Sequence, residues 1–159
     1  MLLPSCSGHT RHSFCIARHA QPICAVVSGS VAGDGNTIVQ ASTLDHVTIG
    51  NDNEIANSWL EANSTLGSGN VVTSSSAVVG GSRVGNKNEL SDQSAVSAGS
   101  VVRDRNSIQT GALITDSQVG SNNTIIQTSL VSATVGSSNY ISAATFGMGY
   151  LPCALPCGD

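Results

Sequence analysis

Aliphatic side chains recur every six residues through the middle of this chain. Leu60, Leu66, Val72, Val78, Val84, Leu90, Val96, Val102, Ile108 and Ile114 follow one another at strict six-residue steps, and most positions between them are Ser, Thr, Gly, Asn or Ala. A step of six falls on opposite sides of a 3.6-residue helix, and Gly and Asn are poor helix formers. The pattern therefore predicts short strands. Four residues after each aliphatic stands a small side chain or Asn: Ser64, Asn70, Ser76, Ser82, Asn88, Ser94, Ser100, Asn106 and Ala112. These positions read as corners. The register slips by one residue between Ile55 and Leu60 and again between Ile114 and Val119, then resumes as Val119, Ile125 and Val131. Shortened corners would produce such slips while leaving the stacking of strands intact.

A longer period is superimposed on the six-residue one. Gly-x-x-Asn, followed one residue later by an aliphatic, occurs at Gly33–Ile38, Gly50–Ile55, Gly67–Val72, Gly85–Leu90, Gly120–Ile125 and Gly136–Ile141. Arg103–Ile108 is a further copy with Arg in place of the first Gly, and successive copies start 16 to 18 residues apart. Three six-residue units make one period, so each coil should have three strands and three corners. A fixed period of this kind signals a solenoid, in which a repeat buries its apolar side only by stacking on the next. Seven coils at about 4.8 Å spacing would form a prism roughly 34 Å long. Stacking would place Asn36, Asn53, Asn70, Asn88, Asn106, Asn123 and Asn139 above one another. Asn tolerates left-handed backbone at a corner, and its amide can donate and accept along a stack.

The six-residue units, of the form aliphatic-Gly-x-x-small-x, resemble the hexapeptide-repeat family over residues 26–146. That resemblance implies an all-β fold, a single-stranded left-handed parallel β-helix of about seven coils. The handedness comes from the resemblance alone, since right-handed crossovers are the general rule for parallel strands. The expected organisation is an irregular leader over 1–22, the β-helix over 23–146 and a tail containing Pro and Cys over 147–159.

Composition is consistent with such a column. Aromatic residues are 3% and charged residues 10% of the chain, too few large side chains for an ordinary globular core. A thin core of Val, Ile and Leu compensates. Each buried aliphatic stabilises by about 1.5–3 kcal/mol, and each coil supplies three. The formal net charge of −4 gives no general electrostatic case for nucleic acid. The one basic spot is Arg83, Lys87, Arg103 and Arg105, with Glu89, Asp92 and Asp104 nearby in sequence. Lys87 and Arg105 hold the same place in adjacent coils. This spot reads either as a solvated mixed-charge surface or as an interaction patch for an acidic partner.

The ends depart from the pattern. No Asp or Glu precedes Asp34, and the first 22 residues carry His9, Arg11, His12, Arg18 and His19. An acid-free, Ser-containing segment is compatible with a mitochondrial presequence, although no clean amphipathic helix emerges. No apolar run is long enough for a membrane span. At the other end Pro152 and Pro156 stop the strand pattern. An uncapped last coil would expose strand edges and invite association through the coil ends. All five cysteines, Cys6, Cys15, Cys24, Cys153 and Cys157, lie outside the repeats. They read as reduced thiols, since Cys-x-x-x-Cys without nearby His is weak evidence for metal.

Chemistry is sparse. His46 is the one His within the repeats, and no Ser-His-Asp set, phosphate loop or carboxylate pair stands out. Hexapeptide acyltransferases use a His base, and γ-carbonic anhydrases hold zinc with three His at a subunit interface. Ile23–Asp34, Ile49–Ile55 and Val84–Leu90 resemble coils of the small dynactin pointed-end subunits, subunit 6 above all. Where that family carries Arg before Gly-Asp, this chain has Ala32. This resemblance implies a non-catalytic scaffold subunit of a larger cytoplasmic, cytoskeletal assembly, with protein partners and without cofactor or metal. The alternatives are a hexapeptide-repeat acyltransferase and a degenerate γ-carbonic-anhydrase-like subunit, the latter of mitochondrial location.

Overall fold

Three flat faces, joined by three rows of corners, account for every strand in the computed structural model, which describes residues 26–39 and 42–151. The first face stacks eight strands, from Val26–Ser28 to Thr145–Phe146. The second stacks eight, from Val31–Ala32 to Gly149–Leu151. The third stacks seven, from Thr37–Val39 to Tyr140–Ser142. Each strand is two or three residues long. Neighbours within a face are one coil apart in the chain, and the printed pairings are all parallel. On the second face Val84 pairs with Leu66 before it and Val102 after it. On the third, Leu90 pairs with Val72 and Ile108.

The six-residue aliphatics all point inward. Leu60 to Ile114 form one buried column that continues through Leu44, Ile49 and Ile55 at one end and Val119, Ile125, Leu130, Val135 and Ile141 at the other. The expected register fails at one place. Val131 is 42% exposed, while Leu130 beside it is fully buried. A further slip lies between Ile125 and Leu130, and three more five-residue steps follow the same rule at Leu44–Ile49, Leu130–Val135 and Ile141–Phe146.

The rule is written in backbone conformation. Where six residues separate inward positions across the first-to-second or third-to-first corner, two consecutive residues are left-handed: Ala62 and Asn63, Ser74 and Ser75, Gly80 and Gly81, Asp92 and Gln93, Ala98 and Gly99, Thr110 and Gly111. Where five separate them, one residue is left-handed, as at His46, Asn57, Asp116, Gln127, Ser132 and Ala143; the last step, Phe146–Leu151, has none. Removing one left-handed residue shortens the corner and preserves the inward direction of the next strand.

The corner between the second and third faces is the Gly-x-x-Asn segment, and its step is six in every coil. Its residues are almost fully determined by contacts with adjacent coils. A Cβ at Gly67 would stand 2.5 Å from the Gly85 carbonyl oxygen, and one at Gly120 would stand 2.6 Å from that of Gly136. The stacked backbones meet too closely there for a side chain. The Asn residues form the expected ladder. Asn88 donates its backbone N–H (2.8 Å) and its amide (3.2 Å) to Asn70 Oδ1, and its own Oδ1 accepts both donors of Asn106 at 2.8 and 3.1 Å. The Asn itself is not the left-handed residue. That conformation belongs to the residue before it, such as Asp52, Lys87, Arg105 and Asn122, at φ between 56° and 59°. The Asn side chain is thereby held inward, where it is buried.

A second ladder runs outside the first. The backbone N–H groups of Asp34, Asn51, Ser68, Asn86, Asp104 and Ser121 donate in turn to the side-chain oxygens of Asn51, Ser68, Asn86, Asp104, Ser121 and Ser137. The sequence carried its signal, because every residue two places before the repeat Asn has an acceptor oxygen. The buried corner serines close locally instead, as in Ser76 Oγ to Thr73 O and Ser82 Oγ to Val79 O, both 2.7 Å. Among the described residues no buried side-chain polar atom lacks a partner.

The strand Gly149–Leu151 pairs with Ala133–Val135, within the segment read as tail. The leader, both tail prolines and the five cysteines lie outside the described residues.

Candidate active site and charged edge

His46 sits at a five-residue corner between the first and second faces, in the left-handed conformation (φ 52°). It directly follows Asp45, the last residue of the strand Thr43–Asp45. The tight corner turns the ring back on its neighbour, with Nδ1 2.8 Å from Asp45 Oδ1. An ionised carboxylate only accepts hydrogen bonds, so Nδ1 carries the proton and donates it. This leaves Nε2 with its lone pair free to accept a proton.

The preceding coil shapes the other side of the ring. A Cβ on Gly29 would lie 2.8 Å from His46 Cδ2 and 2.9 Å from Nε2. Gly29 therefore makes room for the imidazole, and its own left-handed φ of 58° suits Gly. The pair is open to solvent, with side chains 61% and 47% exposed for His46 and Asp45. Among the described residues no group of three or more His, Cys, Asp and Glu stands together as a metal site.

The basic spot divides in two. Lys87 and Arg105 occupy the same left-handed position of adjacent Gly-x-x-Asn corners. Together with Asp52, Ser68, Gly69, Asn86 and Asp104 they line one depression of about 390 Å³. Arg83 points outward from the second face in the strand Arg83–Val84, and Arg103 takes the first position of its corner. All four are exposed, and all the Lys and Arg of the described residues lie in these two coils. None of the four forms an ion pair among the described residues. Asp104 is the half-buried acid among them, and its Oδ1 accepts from the backbone N–H of Asn86 at 2.7 Å and from its amide at 3.2 Å.

No protein-family model matches the chain, and no curated protein matches it in sequence. The expected likeness to the dynactin pointed-end subunits, and with it a cytoskeletal setting, gains no support from either comparison. Among solved structures the chain is similar to LpxA, a UDP-N-acetylglucosamine acyltransferase from Bacteroides fragilis. The TM-score is 0.61 at 16% identity, over 80% of this chain and 67% of the other. This corrects the expectation of a non-catalytic chain. That expectation rested on the dynactin resemblance and on the lack of catalytic residue sets in the repeats, whereas the solved structure of similar fold is an enzyme. No helix of the described residues is long and apolar enough to cross a membrane. What the comparison and the strand pairing establish together is the fold: the chain is an all-β, left-handed parallel β-helix of about seven coils.

Proposed function

We propose that the chain is a hexapeptide-repeat acyltransferase in which His46 is the general base and Asp45 orients it. One observation carries this reading: the 2.8 Å contact of His46 Nδ1 with Asp45 Oδ1, which leaves Nε2 as the proton acceptor of an imidazole whose side chain is 61% exposed. The likeness in fold to an acyltransferase supports it. In the proposed reaction His46 Nε2 takes the proton of an acceptor hydroxyl or amine. The freed lone pair attacks the carbonyl carbon of an acyl thioester. The C–S bond then breaks, the acyl group stays on the acceptor, and the imidazolium returns its proton to the departing thiolate. Asp45 keeps the productive tautomer and stabilises the transient imidazolium, as a carboxylate beside a catalytic His does.

The test is thiol release from acetyl-coenzyme A and longer acyl thioesters in the presence of a panel of sugar, amine and hydroxyl acceptors. Acceptor-dependent release should fall by about 10²–10⁴-fold in His46→Asn, the range for loss of a general base. Asn is the replacement of choice because it tolerates the left-handed backbone at this corner. Asp45→Asn should retain part of the activity. Acceptor-dependent release that is equal in wild type and His46→Asn would refute the assignment, as would no release across the panel.

A further inference from the structure

The charges along the Gly-x-x-Asn edge are ordered. Corner 33–36 carries Asp34, corner 50–53 carries Asp52, and corner 67–70 carries no charge. Corner 85–88 carries Lys87, while corner 103–106 carries Arg103, Asp104 and Arg105. Corners 120–123 and 136–139 are uncharged. Read along the stack, the net charges run −1, −1, 0, +1, +1, 0, 0. The first five corners form a sequence that maps onto its opposite under a half-turn about corner 67–70.

The side chains involved are available. Asp34, Asp52, Lys87, Arg103 and Arg105 are exposed, and no ion pair within the described residues engages them. The centre of the pattern is also recessed. Gly69 has no side chain, the Lys87 stem passes over it with Cγ 3.5 Å from where a Cβ would stand, and the depression between Asp52 and Arg105 is lined from both sides. The edge is continuous, because its step is six in every coil and both ladders run along it without interruption.

We infer that this edge is a self-recognition surface for a second copy of the chain, paired antiparallel about a twofold axis at Gly69. In that arrangement Asp52 of each copy faces Lys87 of the other. Asp34 faces the Arg103–Arg105 corner. A twofold contact is isologous, so each complementary pair occurs twice. Glu54 and Glu89 lie round the corner on the third face, at the strands Glu54–Ala56 and Glu89–Leu90, and would approach each other across the same axis. Their repulsion works against the pairing, as does that of Asp34 with Asp104. The association is therefore weak and easily screened by salt. The edge lies on a different corner row from His46, so pairing leaves the Asp45–His46 site open.

Sedimentation of the full chain over a range of concentrations distinguishes this pairing from other uses of the cations. Wild type should gain mass with concentration at low ionic strength and lose that gain at about 1 M salt, where screening acts within about 3 Å. Lys87→Asp alone should abolish the association, and so should Asp52→Lys alone. An equimolar mixture of the two variants should restore it, because each then offers the charge that the other lacks. If the cations instead serve an acidic protein partner, Asp52→Lys leaves self-association as in wild type and the mixture gains nothing. That result, or a wild type that stays monomeric at low salt, overturns the proposal. Circular dichroism of both variants guards against a folding defect. Each substitution places at an exposed left-handed corner a residue type that another corner already carries there.

Discussion

The two corner rows on either side of the second face solve the same problem differently. The Gly-x-x-Asn row runs six residues in every coil, with two side-chain ladders binding each coil to the next. The row between the first and second faces has no continuous ladder. Val47 N–H donates to Ser30 Oγ at 3.2 Å and Ser117 N–H to Ser100 Oγ at 3.1 Å, while Ser64 and Ser82 bond back to carbonyls of their own coil. Its corners are accordingly free to be long or short. Where the side chain is committed to the neighbouring coil, the sequence is constrained to an oxygen acceptor and Asn, with Gly opening every corner but that of Arg103. Where it is not, the corner accepts Ala62, Gly80 or His46, so residue type varies there more freely.

The largest expected effect removes what both rows share. Val84→Asp puts an unpaired carboxylate into the column between Leu66 and Val102. It should destabilise by more than about 4 kcal/mol and melt the middle coils. Loss of the β-sheet circular dichroism signal at 25 °C would register this. A normally folded variant would show that Val84 is not an inward position.

The next pair compares the rows directly. Asn88→Ala deprives Asn106 of the acceptor for two donors and removes the amide bond to Asn70 Oδ1, while the backbone N–H of residue 88 keeps its own. A cost of about 2–3 kcal/mol is expected from the unsatisfied buried groups. Ser82→Ala on the other row removes one bond of 2.7 Å, for about 1 kcal/mol. Denaturant midpoints of the two variants should be clearly ordered, and equal midpoints would remove the distinction between a ladder and a local bond.

The glycines sharpen it further. Gly67→Ala drives a Cβ into the Gly85 carbonyl and should cost about 1–3 kcal/mol by overpacking. Gly99→Ala meets nothing within 4 Å and carries only left-handed strain at φ 73°, about 1 kcal/mol. Chemical denaturation resolves these, with the smaller loss expected at Gly99.

Much of this was legible in the residues. The inward column from Leu60 to Ile114 and the Asn ladder are explicit, because apolar burial and amide stacking each demand a residue type at a fixed interval. Leu130 was missed because two adjacent aliphatics, Leu130 and Val131, fit the interval equally well, and only the single left-handed residue Gln127 selects between them. Left-handed conformation at Gln127, Lys87, Arg105 or Thr110 has no signature in side-chain type, since none of these favours it; the closed coil imposes it. The Asp45–His46 pair was adjacent in sequence, yet adjacency does not reveal that a short corner folds the ring onto its neighbour. The cations at 83, 87, 103 and 105 were visible as a cluster. Their place opposite Asp34 and Asp52 in an ordered edge required the corner alignment.

On the proposed function, one corner row holds the fold and the other carries the chemistry. The most direct measurement is acceptor-dependent thiol release by His46→Asn beside wild type, at a temperature where circular dichroism shows both fully folded. The account predicts an unchanged spectrum, a melting temperature close to wild type and activity lower by about 10²-fold or more. Activity undiminished in the folded His46→Asn protein would contradict it.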